Sequence, residues 1–386
     1  MSIQNELIGI IGSAVFGTEA PKVSAEKIPE LYSLAEGHDL THLLAEGLER
    51  SSALPEGELG ATLKNKKFTA VMRHSRIAAE LDALCELLSE RGIDHLPLKG
   101  SAMRHLYPKP WMRTSCDIDI LVRPSDLDAA IAAIVGELEY EYKGTEDHNA
   151  TLYSPSGVCL ELHYKLIRSD YVDRAEKPLA DLWDRLIPDE ALSHKLHMSD
   201  ELFYYYHIAH AAKHYTYGGT GIRTVLDTYI LNEHAPGDAA ERERLLCEGG
   251  LLEFEKNLRH LAMSWFGGGE ETALDREMAQ YITRSGVYGR IDHTLALRRA
   301  KRGGRFKYLL SRIFVPYGVY KKDHPLVRMA ALRYLFWLVA RLFKPIFKKE
   351  VRRRMASEAR ENAAVSDLSV EKIYKHISRV GLADLQ

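Results

Sequence analysis

The sequence predicts an α+β fold: a small sheet-bearing core at residues 76–192, between a helical N-terminal region (1–75) and a helical C-terminal region (193–386). Three observations carry this. Two runs alternate with a period of two, Asp117-Ile-Asp-Ile-Leu-Val122 and Gly157-Val-Cys-Leu-Glu-Leu-His163, as strands with one buried face do. Ahead of them, Val71, Ile77, Leu81, Leu84 and Leu88 recur at helical spacing. Beyond about residue 195 the pattern is helical again. With 386 residues, 46% of them hydrophobic and 27% charged, the chain can bury a sizeable core and does not have the composition of a disordered one.

Taken in order, Ile8-Gly-Ile-Ile, Leu31-Tyr-Ser-Leu and Leu40-Thr-His-Leu-Leu read as helices separated by polar turns, and Pro55 to Gly60 as a loop. A helix from Phe68 to Leu88 ends at Arg91-Gly92, and Ile93 to Leu98 forms the first strand. Ser101 is an N-cap candidate for a helix over Ala102 to Tyr107. After the strand at 117–122, Ser125 caps a helix that runs to about Leu138, with Asp128 in the capping-box position. Tyr140 to Tyr142 and Ala150 to Tyr153 are short strands, and Tyr153-Ser-Pro-Ser-Gly157 turns the chain into the strand at 157–163. Ser199-Asp200 opens a helix over Leu202 to His214. The glycines at 218–221 break the chain before another helix over Arg223 to His234.

The four cysteines, Cys85, Cys116, Cys159 and Cys247, show neither C-x-x-C nor zinc-ligand spacing and are expected as buried free thiols in a reducing cytoplasm. The first ten residues have no basic n-region and no cleavage site, so a secretory signal is not expected. No apolar run is long enough for a membrane span. The net charge of −2 hides an asymmetry: residues 1–100 carry 15 acidic and 10 basic side chains, whereas residues 290–354 carry 19 Lys or Arg and only three acids.

The chemistry is concentrated in the core. On a strand, Asp117 and Asp119 project from the same face while Ile118 and Ile120 enter the core. Two like charges beside an apolar layer call for a cation, and oxygen ligands at this spacing suit Mg²⁺. Cys159, Glu161 and His163 share a face of the later strand, which makes Glu161 the natural third carboxylate. Gly100 permits close approach of a ligand to the backbone. With Ser101 at a helix start and Lys99 before it, this turn is a candidate anion site. Arg113, four residues before Asp117, is a second candidate phosphate partner.

Lys99-Gly100-Ser101, Leu106-Tyr107-Pro108, Arg113, Asp117-Ile-Asp-Ile-Leu-Val122 and Leu160-Glu-Leu-His163 together resemble the DNA polymerase beta-like nucleotidyltransferase superfamily, in particular its uncharacterised bacterial nucleotidyltransferase branch. The resemblance covers about residues 80 to 235. A weaker match continues through His210-Ala-Ala-Lys-His214, Arg223 and Leu226-Asp227. The fifteen residues between Ser101 and Asp117 exceed the usual gap. The resemblance implies a small mixed sheet and transfer of a nucleoside monophosphate from an NTP such as ATP to a hydroxyl or phosphate acceptor, with pyrophosphate leaving. Two Mg²⁺ ions would be held by Asp117, Asp119 and Glu161, and the phosphates by Lys99, Gly100, Ser101 and Arg113, with His163 beside them. The acceptor is left open, although the branch is linked to surface-polysaccharide pathways. The alternative is a catalytically silent nucleotide-binding or scaffold protein of the same fold.

Two features stand apart. His207, His210 and His214 lie along one side of a helix and are expected to form a wall of the cleft rather than a zinc site, for want of a fourth ligand. Arg223 and Asp227, four apart, are expected to pair with each other. For the basic tract at 298–354 the first reading is a packed helix that neutralises the acidic N-terminal region. Peripheral association with anionic membrane at the inner face through 326–354 is the second. A nucleic-acid surface using Tyr308, Phe314, Tyr317 and Tyr320 finds little support in the near-neutral charge of the whole chain.

Overall fold

The computed structural model describes residues 2–287 except 147, 167–172 and 217–218, isolated positions between 295 and 337, and residues 367–383. It is an α+β structure whose five-stranded sheet is enclosed by helices. The strands are β1 (His95–Pro97), β2 (Asp117–Val122), β3 (Glu141–Thr145), β4 (Asn149–Tyr153) and β5 (Cys159–His163), in the order β1-β2-β5-β4-β3. The β2–β5 pair is parallel and the other pairs are antiparallel, so the sheet is mixed.

The alternation of β2 and β5 divides two packing layers. Ile118, Ile120, Val122, Leu160 and Leu162 are buried with Ala130 and Ile134 of the helix Leu127–Glu137 and with Ile77, Leu84 and Leu88 of the helix Gly57–Glu90. Leu96 and Leu121, on the other face, join a larger core built by the N-terminal helices together with the helices Asp200–Thr216, Ile222–His234 and Leu252–Phe266. Asp119 and Glu161 lie on this second face, where the sheet meets the helical body.

Several local expectations are corrected. The loop after Pro55 is shorter than expected because a 34-residue helix starts at Gly57 and runs unbroken across residue 75. Gly60 permits this: a Cβ there would lie 1.8 Å from the Pro55 carbonyl oxygen. Ser101 is not an N-cap. The helix Lys99–Met103 begins two residues earlier, with Leu98 in the cap position and no side-chain cap, and the Ser101 amide is already donated to the Leu98 carbonyl at 3.1 Å. Ser125 is likewise displaced by Asp126 as cap of its helix, and its hydroxyl donates to the Asp126 carboxylate instead. Cys116 and Cys247 are exposed rather than buried, although all four thiols are free.

The acidic N-terminal region finds its own counter-charges nearby: Glu6 pairs with Lys27, Glu36 with Lys66, and Glu46 with Lys67 and Lys109. The basic tract at 298–354, with its membrane-surface and stacking readings, lies outside the described residues apart from Arg299, Lys307, Tyr334 and Trp337. Among the described residues, no helix is long and apolar enough to cross a membrane.

Candidate active site

Register places the central carboxylate. Leu98 N–H donates to the Asp119 carbonyl at 2.9 Å, extending the β1–β2 pairing, so Lys99 leaves β1 beside Asp119. On the other side of β2, Glu161 is the register partner of Asp119 and Cys159 that of Asp117. Lys99 and Glu161, 62 residues apart in the chain, therefore flank one buried aspartate. Lys99 Nζ donates to Asp119 Oδ1 at 2.7 Å. His163 Nε2 lies 2.8 Å from the same oxygen and 3.3 Å from Glu161 Oε2.

The charges follow from this geometry. Burial would push the Asp119 carboxyl up, but the Lys99 ammonium and His163 outweigh it and hold the pKa well below the carboxylate range. Burial likewise opposes a charged Lys99, yet Asp119 raises its pKa. Among the described residues, Asp117 has no such counter-charge at contact: burial, then the charge of Asp119, raises its pKa, and Lys99 offsets this only in part. His163 bonds to both Asp119 and Glu161, which raises its pKa against the opposing effect of burial. Lys99 also holds a left-handed backbone at φ 46°, uncommon for a residue with a Cβ. The ion pair is thus bought with local strain in the turn that precedes Gly100.

A second network positions the turn. Arg113 Nε donates to both oxygens of Asp227 at 2.9 and 3.0 Å, and Tyr107 Oη donates to Asp227 Oδ1 at 2.5 Å. Arg113 Nη1 donates to the Thr114 carbonyl at 2.8 Å. A Cβ on Gly100 would lie 3.3 Å from that same Nη1, so the absent side chain leaves room for the guanidinium. Arg104 closes the turn from the other side, donating from Nε to the Gly100 carbonyl at 3.0 Å and from Nη2 to Ser115 Oγ at 3.2 Å. Arg223 does not pair with Asp227. Its Nη2 donates to Asp39 Oδ2 at 2.7 Å and to Thr114 Oγ1 at 3.0 Å, while the Asp227 carboxylate is taken up by Arg113 and Tyr107.

Lys99, Gly100, Arg113, Asp117, Asp119 and Asp227 line one cleft of about 340 Å³, whereas Ser101, Glu161 and His163 are not among its lining residues. Its floor includes Lys99, Gly100, Arg113, Asp117 and Asp119, and its walls include Asp39, Arg223 and the face of Asp200–Thr216 that carries His207, His210 and His214. The three histidines thus share a cleft wall. A family model for uncharacterised nucleotidyltransferases matches residues 24–267. The chain belongs to the uncharacterised nucleotidyltransferase family. No curated protein and no solved structure matches it.

The matched span of this nucleotidyltransferase holds every site residue the sequence singled out, and also Asp39, Tyr206, Arg104 and Asp227, which it did not place in the site. For Asp39 no local signal exists, since it enters the cleft from a turn some eighty residues before β2. Tyr107 and Asp227 were visible only as parts of the family resemblance. Among the described residues, the donor atoms that could share one metal ion are those of Asp119, Glu161 and His163, all within 4.8 Å of one another. Asp117 stands beside this group and is not part of it, whereas His163, expected at the phosphates, is. Carboxylate oxygens with one imidazole suit Mg²⁺ or Mn²⁺, and the crowding that raises the pKa of Asp117 is what a cation would relieve. The residues present therefore fit a divalent metal.

Proposed function

We propose that this nucleotidyltransferase has a DNA polymerase beta-like catalytic core and transfers a nucleoside monophosphate from a metal-bound NTP, ATP among the candidates, to a hydroxyl or phosphate acceptor, releasing pyrophosphate. The observation that carries the reading is the register that sets Glu161 against Asp119, with Lys99 on the opposite side of the same carboxylate. Asp119, Glu161 and His163, with Asp117 adjoining, would hold the metal, Mg²⁺ in the first instance and two ions on the superfamily resemblance. Bound metal supplies charge neutralisation on the triphosphate and activates the attacking oxygen.

The protein's own side chains take the remaining roles. Lys99 brings a permanent positive charge to the edge where pyrophosphate would leave, and electrostatic stabilisation of this kind is a large part of phosphoryl-transfer catalysis. Gly100 lets the phosphates approach the backbone, and Arg113, oriented by Asp227, lends the same turn a second cation. Ser101 would contribute its hydroxyl, since its amide is committed to Leu98. Without metal, His163 Nε2 lies between Asp119 and Glu161; as a ligand the ring would be neutral and its lone pair would face the ion in place of these contacts.

A second reading has one observation in its favour. Asp119 Oδ1 already accepts hydrogen bonds from Lys99 and His163, as it would in a nucleotide-binding protein without transfer activity. Thermal unfolding with each of the four NTPs, with and without Mg²⁺, tests the first step, because a ligand that binds only the folded state stabilises by about 2.7 kcal/mol at a hundred times its Kd. A Mg²⁺-dependent shift that is lost in Asp117→Asn supports the metal–nucleotide site. The absence of a shift with every NTP refutes it. Pyrophosphate release in the presence of acceptor then separates transfer from binding alone.

A further inference from the structure

One wall of the cleft takes no part in the chemistry above. The helix Asp200–Thr216 turns Phe203, Tyr206, His207, His210, Ala211 and His214 toward the cavity, positions separated by three and four residues that form one stripe. Four of the rings run in sequence. The centroids of Phe203 and Tyr206 are 6.3 Å apart, those of Tyr206 and His210 6.1 Å, and those of His210 and His214 4.4 Å. The charge of the Lys99 ammonium reaches Tyr206, His210 and His214 along the stripe.

The two histidines form a unit. His210 Nε2 and His214 Nε2 lie 3.1 Å apart, so one ring donates and the other accepts, and a single proton is shared between the two nitrogens. The remaining Nδ1 atoms are then necessarily one donor and one acceptor. A concerted tautomer change exchanges these roles. Burial, and then nearby positive charge, holds the pKa of His210 well below the ordinary histidine value and lowers that of His214 to about 4, which favours uncharged rings, although part of the His214 ring faces solvent.

We propose that this stripe is the nucleobase platform of the cleft: the base of the NTP lies against the rings of Phe203 and His210, which the buried Tyr206 backs from between them, with its edge hydrogen-bonded by the His210–His214 pair. The inference rests on the transferase reading and adds to it the subsite that selects the base. The ligand class follows from the chemistry. An uncharged, ring-rich wall with one donor and one acceptor suits a flat heteroaromatic ring, which gains from stacking whatever its identity. A polyhydroxylated acceptor needs several hydrogen-bonding groups, and these stand elsewhere in the cleft, at Asp39, Arg223 and Asp227. The reach of the Lys99 charge to this wall fits as well, since a base must lie one sugar away from the phosphates.

The test needs no acceptor. Equilibrium binding of the four α,β-methylene NTP analogues with Mg²⁺, and of tripolyphosphate with Mg²⁺, is measured by calorimetry on wild type, Phe203→Ala, His210→Ala and His210→Phe, each checked for an unchanged unfolding profile. Loss of a stacking ring is expected to weaken the best-bound analogue by about tenfold and to leave tripolyphosphate within about twofold. His210→Phe keeps the ring and removes the shared proton, so it should retain affinity while losing preference among the four bases. Equal weakening of analogue and tripolyphosphate, or wild-type analogue affinity in both alanine variants, overturns the platform and leaves the transferase reading standing. Failure of the wild type to bind any analogue while it binds Mg²⁺ overturns both.

Discussion

Asp227 joins three segments that are distant in sequence, and its removal tests how the turn at Gly100 is held. Its carboxylate is 3% exposed and receives both the Arg113 guanidinium and the Tyr107 hydroxyl. Truncation in Asp227→Ala leaves a mostly buried cation and a buried phenol without their acceptor. Breaking a buried pair from one side costs about 3–5 kcal/mol, because the partner's charge remains uncompensated. Asp227→Asn keeps an amide oxygen that can still accept one hydrogen bond, so about 2–3 kcal/mol is expected. The assay is urea unfolding of the full chain at neutral pH, with free energies compared at a common slope. Arg113→Met alone should be destabilising for the same reason. The double variant Arg113→Met/Asp227→Asn should lose less than the sum of the two singles, because neither charge is then orphaned. A loss below about 1 kcal/mol in Asp227→Ala, or strict additivity in the cycle, would refute the reasoning that Asp227 exists to compensate Arg113.

Other outcomes follow from the same geometry. Asp119→Asn should lower pyrophosphate release by at least about a hundredfold, with circular dichroism unchanged, and wild-type turnover in this variant would remove Asp119 from the chemistry. In Gly100→Ala the new Cβ presses on Arg113 Nη1 at 3.3 Å. Since its backbone is not left-handed, stability should stay within about 1 kcal/mol while the KM for NTP rises severalfold in steady-state kinetics. His42 is buried, lies 3.0 Å from the Met112 carbonyl through Nε2, and burial holds its pKa down to about 4. Because the folded pKa lies below the unfolded value near 6.5, protonation favours unfolding. The stability it contributes is complete above about pH 6.5 and is lost as pH falls toward 4, by roughly 1 kcal/mol per pH unit. Unfolding midpoints at pH 7 and pH 5 should therefore converge in His42→Gln relative to wild type. Chelation of divalent metal should abolish NTP-induced stabilisation, and restoration by Mg²⁺ or Mn²⁺ but not Ca²⁺ would match a small site of oxygen and imidazole donors.

How much of this could be read from the chain depended on the range of the interaction involved. The alternation Asp117-Ile-Asp-Ile-Leu-Val122 was legible because a strand's two faces are fixed by local geometry, and Ile118 and Ile120 are indeed buried in one layer while Asp119 faces the other. The same rule placed Leu160 and Leu162 in that layer and Glu161 opposite to them. Helical spacing correctly put His207, His210 and His214 along one wall. Local rules failed where two residues competed for one role. Ser101 and Ser125 are good caps by type, yet backbone pairing started their helices at other residues. Arg223 and Asp227 stand at the spacing of a helical ion pair, worth a few tenths of a kcal/mol, and each instead found a long-range partner.

The sequence by itself determined the α+β class, the faces of β2 and β5, and the set of carboxylates, cations and glycine at residues 99–163, because these follow from the periodicity and chemistry of contiguous residues. Tertiary structure alone decided that β2 and β5 are neighbours in parallel register, so that Glu161 meets Asp119. It also decided that Lys99 neutralises that aspartate, that His163 joins the donor group beside which Asp117 stands, and that Asp39, from a remote turn, and Asp227, from a remote helix, arrive to hold Arg223 and Arg113. These are pairings across tens to over a hundred residues, and their partners are selected by which buried charge lies nearest once the two cores have packed, a choice that no local pattern encodes.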